Sequence, residues 1–189
     1  MDDLQATTSH TQRQWLLNYY FARAAFSVAW VLAALKLAPH APGLQAALLV
    51  LYPAWDAVAN LIDGRRSGGL AQNRTQAINV VVSVAVTLAV GAALGDMHRV
   101  LGVFGAWAIL AGLLQLGTAW RRRKSSDAQW PMILSGAQSA LAGTTFILQA
   151  RMPAEPTLST IAGYAGFGTF YFLVAAATLA VRRRTAGKV

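Results

Sequence analysis

Six long apolar runs follow one another along the chain, at about 15–37, 43–62, 76–94, 100–120, 130–150 and 157–181. Each matches the ~20 residues that a helix needs to cross the hydrocarbon core of a bilayer. Polar punctuation separates them. Pro39 and Pro42 part the first pair, and Gly64-Arg65-Arg66-Ser67-Gly68-Gly69 opens the loop after the second run. Gly95-Asp96 makes a tight turn, and Arg121-Arg122-Arg123-Lys124 stops the fourth run. Pro153 and Pro156 mark the turn before the sixth, which Arg182-Arg183-Arg184 closes. Residues 1–14 are polar, a tail or interfacial lead-in, and residues 185–189 form a short polar end. The pattern predicts an all-α membrane protein with one six-helix domain over residues 15–184. Pro53 lies inside the second run and predicts a kink there.

Charge gives this pattern a direction. Only 12% of the 189 residues are charged, about half the share of a soluble domain, and 56% are hydrophobic. The formal net charge is +9, and its placement tells of topology rather than nucleic acid, since no basic-aromatic module accompanies it. Twelve cations flank the N-terminal side of the first run or the ends of the even runs: Arg13, Arg65, Arg66, Arg74, the four at 121–124, Arg182, Arg183, Arg184 and Lys188. The opposite loops hold three: Lys36, Arg99 and Arg151. The positive-inside rule then predicts both termini in the cytoplasm. The acidic start Met1-Asp2-Asp3 lacks a basic n-region, so the first run is expected to be an uncleaved anchor.

The runs also resemble one another. Ser27-Val28-Ala29 in the first matches Ser83-Val84-Ala85 in the third at a step of 56, and the same step reaches Ser139-Ala140-Leu141 in the fifth. Tyr52, Ala57, Asn60 and Arg66 align with Trp107, Gly112, Gln115 and Arg121 at a step of 55. The expectation is a helical hairpin, odd run out and even run back, repeated three times in one orientation. Such parallel repeats differ from the inverted ones of rocking-bundle transporters. Gly91 and Gly95 offer a small-residue surface for close helix approach.

Two stretches carry a family resemblance: Gly112-Leu113-Leu114-Gln115-Leu116-Gly117-Thr118-Ala119-Trp120 with the arginines after it, and Gln129-Trp130-Pro131-Met132-Ile133-Leu134-Ser135-Gly136-Ala137-Gln138-Ser139-Ala140-Leu141-Ala142-Gly143. They resemble the HdeD-like family of bacterial inner-membrane proteins, which are built of short two-helix repeats, typically three. The resemblance is best over residues 76–150. It implies a membrane component without assigned activity, linked through the family's founding member to acid resistance. The stretch from Tyr52 to Asn60 departs from the family pattern.

Candidate chemistry is sparse. Arg23 and Asp56 are the ionisable residues deepest in the runs, about 12 Å and 9 Å from the cytoplasmic ends at 1.5 Å per residue. Such charges inside a membrane face protein and take partners. Two readings stand: an Arg23–Asp56 ion pair across the first hairpin, or Arg23 reaching the inner headgroups while Asp56 is protonated and bonds a neighbour. Asn60, Asn79, Gln115 and Gln138 fall in the same inner half. They are either part of one polar cluster with Arg23 and Asp56 or local helix-to-helix bonds. Asp63 is expected at the interface, balancing Arg65 and Arg66. His10, His40 and His98 lack metal spacing, and cysteine is absent, so neither a metal site nor any cofactor is expected. Glu155 is the single glutamate, and Asp2, Asp3, Asp96 and Asp127 lie outside the runs, which leaves no general acid–base pair. A non-enzymatic membrane component, acting through self-association or a membrane partner, is the expected function. A conduit for protons or a small polar solute is the alternative. The lipid bilayer is the expected surrounding in either case.

Overall fold

The structure, a computed structural model, describes residues 2–66, 68–122 and 130–186, and among them every regular element is helical. Six long helices carry the chain: α1 (Asp2–Lys36), α2 (Pro42–Arg66), α3 (Arg74–Ala93), α4 (Met97–Arg122), α5 (Trp130–Gln149) and α6 (Leu158–Ala186), with a single 3₁₀ turn at Ala38–His40 after α1. Five of the segments, in α1, α2, α3, α4 and α6, are long and apolar enough to cross a membrane. The chain is a multi-pass membrane protein. α5 is twenty residues long and contains no charged residue.

The helix limits follow from local chemistry. No Gly or Pro occurs before Pro39, and α1 accordingly runs back through the polar start to Asp2. α2 continues through Pro53, whose ring leaves the Leu49 carbonyl without its usual N–H partner. Past the end of α2, Gly68 and Gly69 adopt φ of 96° and 91°, where a Cβ would be strained. The Gly69 N–H closes back on the Gly64 carbonyl at 2.9 Å. Asp96 caps α4: its Oδ1 accepts the backbone N–H groups of His98 and Arg99 at 2.9 and 3.1 Å. Its Oδ2 takes Arg99 Nε at 3.1 Å.

Two compact units make up the chain. The first comprises residues 1–33 and 162–189, and the second residues 34–161. In the first, Tyr20 of α1 stacks on Phe172 of α6, with ring centroids 6.4 Å apart. In the second, α4 packs most extensively on α5 and α2 on α3, while α3 meets α4 over a shorter stretch. Thus the closest partners in that unit are even-then-odd pairs, whereas the sequence frames its hairpins odd-then-even. The small and polar residues that permit or demand close approach lie on these facing sides. α2 and α4 also meet, through an edge-on contact of Tyr52 with Trp107 at 5.9 Å. The core of the second unit includes Leu49, Val90, Val100, Leu101 and Phe104, while large apolar side chains such as Val81 and Leu88 point outward. That outward face is what a bilayer requires, because lipid tails solvate it.

Candidate functional site

The polar centre of the second unit is a ladder between α2 and α3. On α2, Asp56, Asn60 and Asp63 occupy i, i+4 and i+7, one face of the helix. On α3, Gln76, Asn79 and Ser83 occupy i, i+3 and i+7. The helices run antiparallel, and the pairs Asp63/Gln76, Asn60/Asn79 and Asp56/Ser83 are all symmetric about the loop point between Gly69 and Leu70. The first and the last of these pairs are hydrogen-bonded across the helices and form the rungs.

The deepest rung is the best defined. Ser83 Oγ donates to Asp56 Oδ2 at 2.8 Å, and Asn60 Nδ2 donates to the same oxygen at 2.9 Å and to the Asp56 carbonyl at 2.8 Å. Ser83 is 1% exposed and Asn60 7%. Two donors on one carboxylate oxygen replace hydrogen bonds that it loses on leaving water. Thr87 Oγ1 in turn donates to the Ser83 carbonyl at 2.7 Å. At the loop end, Gln76 Nε2 donates to Asp63 Oδ2. Asn79 Nδ2 reaches Gln76 Oε1 at 3.4 Å, a long bond. Asp63 therefore has a partner across the helix pair besides any arginine nearby. Asp63 and Asp56 are seven residues apart, ~10 Å along α2.

The structure thus joins Asp56 and Asn60 directly and sets Asn79 on the same ladder. Gln115 and Gln138 lie half-buried on α4 and α5 of this unit. Arg23 belongs to the first unit. There its Nη1 donates to the Tyr19 hydroxyl at 3.0 Å, and its guanidinium lies 4.5 Å from the centroid of the Phe172 ring. Sequence reasoning left out Ser83 and Gln76 as site residues. Their signal was the matched i, i+3, i+7 spacing on the helix that follows Asp56, Asn60 and Asp63.

A second seam joins α4 to α5 with no charge at all. Gly105 faces Gly143 and Gly112 faces Gly136. A Cβ built on Gly112 would lie 2.5 Å from the Gly136 carbonyl oxygen, and one on Gly143 would lie 2.5 Å from that of Gly105. Backbone rests on backbone, as in the small-residue interfaces of membrane helices. Among the described residues no group of three or more His, Cys, Asp or Glu could hold a metal ion.

No curated protein and no solved structure matches the chain. One family model does match, described as a short repeat of unknown function (DUF308), over residues 97–148. That span is α4 and all but the last residue of α5, so the glycine-seamed hairpin is the part of the chain similar to that repeat.

Proposed function

We propose that this protein is a six-span, non-enzymatic inner-membrane component of HdeD-like type, with three helical hairpins in one orientation and both termini in the cytoplasm. It acts in envelope or acid-stress homeostasis by self-association or by binding a membrane partner. The observation that supports the family reading is the match to a short repeat of unknown function over residues 97–148, within the stretch where the HdeD-like resemblance is best. The stress role comes from that resemblance alone.

Burial supports the three-fold plan. Leu49 and Phe104 are fully buried at the step of 55 in α2 and α4, as are Pro53 and Ala108 four residues later. Ala34, Val90 and Phe146 are buried at steps of 56 in α1, α3 and α5. The cation asymmetry supports the orientation. Self-association has open surface available: a Cβ on Gly91 of α3, or on Gly95 in the turn after it, would meet nothing within 4 Å.

The α2–α3 ladder favours one further reading, a conduit for protons or a small polar solute. Two carboxylates about two helical turns apart, with amides and a hydroxyl between them, are the kind of intramembrane group that marks such paths. Proteoliposome flux separates the readings. A structural component gives no flux and co-purifies with itself or a partner. A conduit gives flux that Asp56→Asn alters. Charge reversal tests an Arg23–Asp56 ion pair: Arg23→Asp should lower the folded yield, and Arg23→Asp with Asp56→Arg should restore it. A double swap that rescues nothing would sink the pairing.

A further inference from the structure

The ladder ends at the α2–α3 loop, and one side chain there is out of keeping with its neighbours. Leu70 is the single large apolar residue between Ile62 and Ile78, among arginines, glycines and amides. Arg65, Ala71, Gln72 and Arg74 around it are exposed, whereas Leu70 is half-buried. It rests on Gly64. A Cβ built on Gly64 would collide with Leu70 Cδ2 and lie 3.3 Å from the Gln76 Cβ. Glycine thus leaves a hole in the last turn of α2, and Leu70 fills it. Gly64 stands one turn beyond Asn60 and two beyond Asp56, on the same face of the helix. Gly64 is buried, as is Asn60 at 7% exposure. Leu70 therefore lies across the foot of that face, close to Gln76, whose side chain makes the outermost rung.

The loop backbone holds the leucine there from both sides. Gly68 and Gly69 turn the chain back with positive φ. Before Leu70, the Gly69 N–H bonds the Gly64 carbonyl at 2.9 Å. After it, the Gly69 carbonyl accepts the N–H groups of Gln72 and Asn73 at 3.2 and 3.1 Å. An apolar contact across a helix end often accompanies such a turn. Here the contact also covers buried polar residues. A bond such as that from Asn60 to Asp56 contributes most where water does not compete for its donor. We propose that Leu70 is a plug that closes the loop end of the α2–α3 ladder to water, seated in the hole that Gly64 leaves. The closure concerns access to the ladder alone. It stands whether or not the ladder conducts, which the flux assay decides separately.

The test is cysteine accessibility, which the absence of native cysteine makes clean. Full-length Asn60→Cys protein, purified in detergent, is treated with iodoacetamide, and alkylation is followed by mass spectrometry. It should react about tenfold or more slowly than Ala71→Cys in the exposed loop. Leu70→Ala should raise the rate at Asn60→Cys about tenfold. Gly64→Ala should do the same with the leucine still present, because the added methyl evicts a flexible side-chain tip. Combining the two changes should add nothing further. Val90→Cys, 0% exposed and nearer the other end of α3, should stay slow throughout. If Asn60→Cys does not fold, Ser83→Cys, a one-atom change at a residue 1% exposed, is read in the same way. An Asn60→Cys rate equal to that of Ala71→Cys at the outset would overturn the proposal. So would a rise under about twofold from Leu70→Ala or Gly64→Ala, or an equal rise at Val90→Cys.

Discussion

The α2–α3 and α4–α5 pairs are both antiparallel, both close, and joined by opposite means. One uses polar rungs, with Asp56 taking Ser83 and Asn60 as donors. The other removes side chains altogether, so that Gly112 and Gly136 face each other's carbonyls. The difference teaches how a membrane protein obtains affinity between helices when lipid is as apolar as leucine. A glycine seam gains dispersion along its whole length and tolerates no added atom. A polar ladder gains direction and register, and is modest in energy per bond because the separated helices also find partners. At the places where α4 aligns with Asp56 and Asn60 of α2, it has Ala111 and Gln115. The similarity to the short repeat falls on the glycine pair, whereas the carboxylates belong to the other.

The comparison can be broken first at the glycines. Gly112→Val or Gly136→Val places carbon against backbone that cannot yield, and should cost more than about 3 kcal/mol. The measurement is the fraction folded in a detergent unfolding titration. A cost below about 1 kcal/mol would show that the pair can part without harm. Next is the ladder: Asp56→Ala takes the carboxylate acceptor from the Ser83 hydroxyl, leaves Asn60 only the backbone carbonyl, and should cost about 1–3 kcal/mol. Asp56→Asn keeps an acceptor and should cost less by the same titration. A double-mutant cycle of Asp56→Ala with Ser83→Ala then isolates the rung, with an expected coupling near 0.6 kcal/mol and at most about 1.7 kcal/mol. Coupling indistinguishable from zero would make the 2.8 Å bond energetically silent. Smallest is Gly91→Ala, where open space predicts a change between zero and about 1 kcal/mol of stabilisation from helix propensity. If the same change lowers cross-linked dimer in native membranes, that face of α3 is the self-association surface.

Much of this was legible in the chain. The six runs coincide with six helices to within a few residues, apart from the extension of α1 back to Asp2, because twenty apolar residues have no other way to satisfy their backbone in lipid. The turns at Gly68, Gly69 and Asp96 follow from residues with few conformational alternatives. Part of the ladder was visible too, in Asp56 and Asn60 four residues apart. Its far side was not, since Ser83 and Gln76 look like any polar residues in an apolar helix until the loop fixes which residue lies opposite which.

The sequence by itself determined that the chain crosses a membrane, where the apolar stretch of each helix lies, and which charges fall within the apolar runs, since hydration cost and backbone hydrogen bonding act locally. Only the tertiary structure decided which helix each helix holds most closely. It decided that Gly105, Gly112, Gly136 and Gly143 meet as two facing pairs, and that Asn60 of α2 and Ser83 of α3 donate to one oxygen of Asp56. Those outcomes depend on rotation and register between helices, and a one-dimensional pattern of apolar residues leaves both nearly degenerate.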